Sequence, residues 1–469
     1  MQVAVKDSLG NTVTNPAYAI TIGKNPVGGT LSGTLTVNTV NGVAVFPNLS
    51  IDLTGTGYAL TASSVPALTG ATSNAFAIVS SSANRLAFIT QPSNPTTAGV
   101  TMTPAVQVEV RDQFGNRVTT ASDSITVAIG VNPAGGTLSG TTTVNAASGV
   151  ATFSGLSIDK SGVGYTLPAT GAGLLSATSN SFAINAAAAT KLGFVVQPSN
   201  ATAGDLNSNP NPIIPAVQVA VQDAFGNTVT SDTGTSITVA IGTNPPGNGA
   251  LTGTMPVGTV NGVATFSDLN IDKVGVGYTL TASGGGYPNA TSVSFNIVAD
   301  FPDHLGFIMQ PSTTTAGASI FPAVEVAVQD VLNNTVSTAT DAITMSKASG
   351  PGGGVLSGTL TQNAVNGVAF FGDLYSTTAG TNWSLGAAAT GLNGATSNLF
   401  TISAGSGDHL DFTVQPRTTM AGVAISPAVQ VSVRDSGNNA VSSTALITIS
   451  FGNNPGGATL TGTTSVNAV

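Results

Sequence analysis

The sequence contains no cysteine, which excludes disulfide staples and thiolate metal sites alike. Charge is scarce as well. Only 7% of the 469 residues are Asp, Glu, Lys or Arg, and 11 basic residues stand against 20 acidic ones for a formal net charge of −9. So few basic residues, spread along the whole chain, cannot build the patch that neutralises phosphates, so nucleic acid is not an expected partner. The negative charge is too dilute to form an acidic tail. No run of 18 apolar residues occurs, so no membrane insertion is expected. The opening Met1-Gln2-Val3-Ala4-Val5-Lys6 lacks the charged and apolar regions of a signal peptide and reads as a strand. Helix-favouring Lys, Glu, Arg, Gln and Met are few, while Val, Thr, Ile and Phe are plentiful, which points to strands. With 57 Gly, 24 Pro and 41% hydrophobic residues, the chain has enough apolar surface to fold and enough turn formers to fold often.

What is present is repeated. Gln-Pro recurs at Gln91, Gln197, Gln310 and Gln415, at spacings of 106, 113 and 105 residues, within phrases such as Leu86-Ala-Phe-Ile-Thr-Gln-Pro. The longer spacing has a local cause. Gly99 to Pro104, Gly317 to Pro322 and Gly422 to Pro427 span 5 positions each, whereas Gly204 to Pro215 spans 11. Six additional residues therefore fall in one loop, around Asp205 to Pro212, as an insertion should.

Strands follow from alternation. Val106, Val108 and Val110 point one way while Gln107, Glu109 and Arg111 point the other, and Val217, Val219 and Val221 repeat the pattern. An Asp-x-x-Gly-Asn turn follows each comb, at Asp7 to Asn11, Asp112 to Asn116 and Asp223 to Asn227. Later, Asn41-Gly42, Asn261-Gly262 and Asn366-Gly367 mark two-residue hairpins, with Ser148-Gly149 in the second copy. An Asp, a Gly and a Tyr then recur as Asp52 to Tyr58, Asp159 to Tyr165 and Asp272 to Tyr278. This pattern predicts a tyrosine corner, in which the phenol reaches back to the backbone. In the fourth copy Trp383 takes the Tyr position and Thr377 the Asp position. Each copy closes on Ala-Thr-Ser-x-x-Phe-x-Ile, and about seven strands are counted from opening to closing phrase. The expectation is an all-β chain of tandem immunoglobulin-like Greek-key β-sandwich modules in an elongated array.

The closing Ile and the next opening Leu are always eight apart: Ile78 to Leu86, Ile184 to Leu192, Ile297 to Leu305, Ile402 to Leu410. The residues between them vary freely. Constant length with free composition predicts a geometric constraint rather than a floppy tether. The module limits expected are a partial 1–83 lacking its first strand, then 84–189, 190–302 with the insertion, 303–407, and a partial 408–469 lacking its last strands. Gln2 aligns with Gln218 and Val469 with Val260, so the chain reads as a piece of a longer array. The alternative, completion of one end by a neighbour's strand, is disfavoured because the two partial copies overlap rather than complement.

The chemistry-bearing residues are few. His304 and His409, the only two histidines, sit in Asp-His-Leu phrases at spacers and read as solvent-exposed residues with no partner or cleft for acid–base work. No catalytic, cofactor or metal residues are expected. Asp112, Asp223 and Asp330 are the calcium candidates, one per copy with Asp7 and Asp435. Calcium takes six to eight oxygens, and one carboxylate per turn favours a turn-stabilising role. Tyr58, Tyr165, Tyr278, Trp383, Asp52, Asp159 and Asp272 are expected to be structural. Tyr18, Tyr287 and Tyr375 stand at unrelated positions and do not form a repeated aromatic platform for sugars. Lys160 and Lys273 match one another, but Leu53 and Thr378 occupy that place elsewhere, so no repeated lysine crosslink is expected.

The Val comb with its Asp-x-x-Gly-Asn-x-Val turn, the Gly-Val-Ala-x-Phe strand and the corner together resemble bacterial immunoglobulin-like repeats of the Big, invasin/intimin-like class, over essentially the whole chain. The resemblance implies an extracellular or cell-surface setting and a non-catalytic structural or adhesive stalk without cofactors. Its partner would be a surface protein or a glycan, with nothing pointing to self-association. The alternatives are an ancillary ligand- or glycan-binding array attached to an extracellular enzyme, and a self-assembling matrix or filament subunit.

Overall fold

The valine combs become central strands with one face wholly buried. In a computed structural model, which describes residues 1–25 and 28–469, Val106, Val108 and Val110 have no accessible surface. The opposite face is covered by charge pairing: Glu109 lies 2.8 Å from Arg111 Nε and 3.7 Å from Arg117 Nε. The chain divides into two units, Met1–Gly193 with Ala220–Gly234 and Val260–Val263, and Phe194–Val219 with Thr235–Thr259 and Ala264–Val469. Strands and turns account for both, with no helix among the described residues.

In the first unit, the second copy shows the complete pattern. Val106–Arg111 lies between Arg85–Thr90 and Val150–Phe153, antiparallel to both. Facing it, Ser124–Val127 pairs with Thr143–Asn145 and with Pro168–Gly171, which in turn pairs with Ala177–Thr178. Phe182–Asn185 takes Gly162–Tyr165 antiparallel on one edge and the short Thr96–Thr97 parallel on the other. Leu86, Val106, Val108, Val110, Ile125, Phe153, Leu156 and Tyr165 form one core. This is a β-sandwich. The seven expected strands are drawn as more, shorter segments because the chain changes sheet at the corner, where Thr166 and Leu167 separate Gly162–Tyr165 from Pro168–Gly171. The first copy keeps Gly55–Val65 as one strand and builds a smaller core from Val5, Ile20, Ile22, Ala44 and Phe46.

In the second unit, the fourth copy repeats the arrangement. Val324–Gln329 lies between His304–Met309 and Val368–Phe371, and Gly380–Ala388 runs unbroken through the corner to pair with both Phe400–Ser403 and Ala342–Ser349. His409–Val414 with Gln430–Arg434, and Leu446–Thr448 with Ser465–Asn467, begin a further copy. The chain is an all-β series of tandem sandwiches. The hairpins explain their own sequences: Asn41, Asn261 and Asn366 have φ of 49°, 49° and 52°, and Ser148 adopts 50° in the asparagine's place. Both loop residues are left-handed, which matches the twist of the strands they join.

Candidate functional site: the joint between copies

The recurring turn is built locally by its aspartate. Asp112 Oδ1 accepts the N–H groups of Phe114 and Asn116 at 3.0 and 2.8 Å, closing an Asx turn. Gly115 takes φ +93° at the tight point, and Asn333 and Asn438 take +61° and +66° at the same place in later copies, a region asparagine tolerates. Asp112, Asp223 and Asp330 have no accessible surface, and Asp435 only 2%. Buried carboxylates need partners on both oxygens, and the second set of partners comes from the preceding copy.

Asp112 Oδ2 accepts the N–H of Ser81, in the spacer, at 3.0 Å. Ala187 gives its N–H to Asp223 at 2.9 Å, Asp300 to Asp330 at 3.1 Å and Gly405 to Asp435 at 2.7 Å. The asparagine closing each turn grips the preceding corner. Asn116 Nδ2 donates to Asp52 O at 2.7 Å while its Oδ1 accepts from Thr54 N–H at 3.0 Å. Asn227 does the same with Asp159 O and Ser161 N–H, at 2.8 and 2.9 Å. Asn334 takes Asp272 O and Val274 N–H at 2.9 and 3.2 Å, and Asn439 takes Thr377 O and Ala379 N–H at 2.7 and 2.8 Å. Each joint is therefore one Asp–Asn pair holding a spacer and a corner together.

The turn at Asp7 is an internal comparison. Asp7 Oδ1 accepts from Leu9 and Asn11 N–H at 2.9 and 2.8 Å, yet both Asp7 and Asn11 are exposed.

The corner residues serve their own copy and the next at once. The phenols of Tyr58, Tyr165 and Tyr278 donate to the carbonyls of Leu53, Lys160 and Lys273 at 3.0, 2.9 and 2.9 Å. Burial, with the nearby charge of Asp159, pushes the Tyr165 phenol above its ordinary value, and burial with Asp272 does so for Tyr278. Asp52, Asp159 and Asp272 each accept one N–H of their own copy through Oδ1, from Thr30, Thr137 and Ala250 at 2.5, 2.6 and 2.6 Å. Their carbonyls receive the next copy's asparagine. Lys160 Nζ reaches Phe225 O at 2.5 Å and Lys273 Nζ reaches Leu332 O at 2.7 Å, so the two matching lysines are further ties across the joint.

The fourth corner is built differently. Trp383 is fully buried with Nε1 lacking a hydrogen-bond partner. The Lys347 ammonium stands 5.1 Å from its ring centroid, a cation–π contact. Thr377 supplies no carboxylate, yet its carbonyl meets Asn439 as the aspartates' carbonyls do. The joint reads main-chain atoms, which is why the side chain there is free to change.

The electrostatics follow from these donors. Burial pushes the Asp112 carboxyl up, but the Asn116 amide and the N–H groups of Ser81, Asn116 and Phe114 outweigh it, leaving it below its ordinary value of 3.8. The same balance lowers Asp223 through Asn227, Ala187 and Phe225, and Asp435 through Asn439, Gly405 and Gly437. These carboxylates face N–H donors where calcium would require further oxygens, and no cluster of three or more His, Asp or Glu side chains occurs among the described residues. His409 pairs with Asp408 at 3.0 Å. His304 departs from the expected exposure: it lies between Asp303 Oδ2 and Asn333 Oδ1, at 2.9 and 3.1 Å, with its side chain 23% exposed. Tyr18, Tyr287 and Tyr375 are all half-buried.

Sequence reasoning assigned the Asp and Asn of the turn to local chemistry and missed the asparagine's second partner. The recurring asparagine did not give the joint away, because it also serves its own turn: Asn11 Nδ2 lies 3.0 Å from Asp7 Oδ2, and Asn116 Nδ2 lies 3.0 Å from Asp112 Oδ2.

No family model and no curated relative matches the chain. Among solved structures, it is similar to the Escherichia coli adhesin FdeC at 17% identity and TM-score 0.30, over 70% of this chain and 100% of that one. It is also similar to Drosophila N-cadherin EC1-4, at 13% identity and TM-score 0.22 over 86% and 94% of the two chains. The Yersinia pseudotuberculosis adhesin InvE is similar at 15% identity and TM-score 0.19, over 45% and 58%.

Proposed function

We propose that the chain is a non-catalytic structural or adhesive stalk of a cell-surface or secreted protein, divided into modules at 84–189, 190–302 and 303–407 with partial copies at 1–83 and 408–469. The observation that carries this reading is the joint: four times, a buried Asp–Asn pair fixes the spacer and the preceding corner to the next copy. A tether needs no such fixation, whereas a spacer that must hold its copies in line does. The recurrent residues are used up in turns, corners, joints and core, which leaves a partner-binding surface to what differs between copies.

Solution scattering of the full chain tests the reading. An extended particle is expected, with greater bending once Asn116, Asn227, Asn334 and Asn439 are all replaced by Ala. A compact particle, or a wild type as flexible as the variant, would remove the stalk from consideration.

A further inference from the structure

The third copy differs from the others in length at one loop, and that loop is hydrogen-bonded to the spacer after it. Asp205 N–H donates to Asn209 O at 2.9 Å. Asp205 Oδ1 accepts the N–H groups of Asn207 and Ser208 at 2.7 Å each, and the Ser208 hydroxyl donates to Oδ2. Leu206 N–H is tied to Thr252 Oγ1 at 3.2 Å. The loop is thus a small hairpin closed on its own aspartate.

Two amides leave that hairpin for the spacer. Asn209 Nδ2 and Asn211 Nδ2 each lie 3.0 Å from Asp300 Oδ2, and Asn211 Nδ2 is also 3.0 Å from Ala203 O. The glycine at the root shows the close approach. A Cβ on Gly204 would stand 2.6 Å from Asn211 N and 2.7 Å from Asn209 O. The equivalent Gly99, Gly317 and Gly422 are instead left-handed, with φ of +72°, +84° and +78°. The same glycine is required for two different physical reasons.

Asp300 is the third spacer residue after Ile297, where the other spacers have Ser81, Ala187 and Gly405. All four give their N–H to the next copy's aspartate. Asp300 alone among them adds a carboxylate, and the insertion supplies two donors to it. The connections run on without a break, from Asn209 and Asn211 to Asp300, to Asp330, to Asn334, and to the corner at Asp272 and Val274.

We infer that the 205–212 insertion is a brace that docks on the following spacer through Asp300, making the joint between Asp272 and Asn334 the most rigid of the four. The brace rests on the reading of the joints as fixed, and it assigns the insertion an internal partner. Asn209 and Asn211 act through Asp300 and are positioning residues. Charge-assisted bonds are stronger than neutral ones, and two of them on one carboxylate hold a spacer residue that other copies hold by its N–H alone.

The test is amide hydrogen exchange on the full chain, comparing the spacer at 298–303 with those at 79–84, 185–190 and 403–408 in the same molecule. In the wild type, 298–303 should exchange about tenfold more slowly than the other three. In the double variant Asn209→Ala and Asn211→Ala it should rise to their rate while theirs is unchanged. Asp300→Ser keeps the N–H donor, imitates Ser81 and leaves the hairpin intact, so it should give the same acceleration without touching the insertion's fold. Equal exchange of all four protected spacers in the wild type, or no response to either variant, overturns the brace. Fast exchange of every spacer would overturn the fixed joints themselves, which is a different result.

Discussion

Asn116 Nδ2 lies 2.7 Å from the main-chain oxygen of Asp52, a residue 64 positions earlier in the chain. Through that bond and its partner at Thr54 N–H, a single amide satisfies one acceptor and one donor of another copy. Both groups would otherwise be left to water or left unpaired, and buried unpaired polar groups are expensive.

The first prediction separates the joint from the turn. Asn227→Ala should leave its own Asx turn in place, because Asp223 still holds Phe225 N–H. It should release Ser161 N–H and Asp159 O, together with the Asn227 Nδ2 bond to Asp223 Oδ2, a bond that the Asn11 control also loses at Asp7. The expected loss is about 1–2 kcal/mol in the unfolding step of that copy, with faster exchange at 159–161. Asn11→Ala removes the same residue from the solvated turn and should stay within about 0.5 kcal/mol of wild type. Denaturant unfolding of both variants checks this; equal losses would place the effect in the turn.

How much of this could be read beforehand depends on where the partner atoms lie. The valine combs were legible because a strand has period two and one face must be buried, and Val106, Val108 and Val110 obey that without exception. The Asn-Gly hairpins were legible because their conformation demands residues that accept positive φ. The joint was not legible, for a physical reason. Its partners are main-chain N–H and C=O groups, which every residue carries, so Thr377 serves where Asp52, Asp159 and Asp272 do. Nothing in the side chain announces the contact. The brace was half legible: the insertion at Asp205 to Pro212 stood out by length, but its use of Asp300, 89 and 91 positions away from its two asparagines, could not be inferred from spacing.

The second prediction concerns acid. Asp112, Asp223 and Asp435 titrate below the ordinary 3.8 when folded. A depressed folded value means the carboxylate is stabilised by folding. That stability is present above the unfolded value and is lost as pH falls through the folded one. The joints should therefore be unchanged from neutrality down to about pH 5 and loosen only below about pH 4. Amide exchange at the spacer residues Ser81, Ala187 and Gly405 reports it directly. Loosening near pH 6 would mean that these carboxylates do not control the joints.

The third prediction concerns calcium. In the turn at Asp112 both carboxylate oxygens already accept N–H groups, from Phe114 and Asn116 on one and Ser81 on the other. A cation would have to displace these donors and find several more oxygens. Melting in chelator and in millimolar calcium should give the same midpoint. A chelator-dependent fall would show that the aspartates Asp112, Asp223 and Asp330 are ligands after all.

The fourth prediction uses two glycines to isolate the packing at one joint. Gly99 has φ +72°, and a Cβ there would lie 2.2 Å from Cζ of Phe225, which belongs to the next copy's turn. Gly317 is equally left-handed at +84°, but nothing lies within 4 Å of its Cβ position. Alanine at either site incurs the strain of the left-handed region, about 1 kcal/mol. Only Gly99→Ala must also move the Phe225 ring, which sits on the turn whose carbonyl receives Lys160 Nζ. Gly317→Ala should thus destabilise its copy by the strain alone, with spacer exchange unchanged. Phe225 is 41% exposed, so its ring can swing aside; Gly99→Ala should cost less than about 1 kcal/mol beyond that and speed exchange at Ala187 and Ser161. The double variant Gly99→Ala with Phe225→Ala should recover most of the difference, because the clash is gone while the strain stays. If Phe225→Ala recovers nothing, Phe225 does not set how closely these two copies approach.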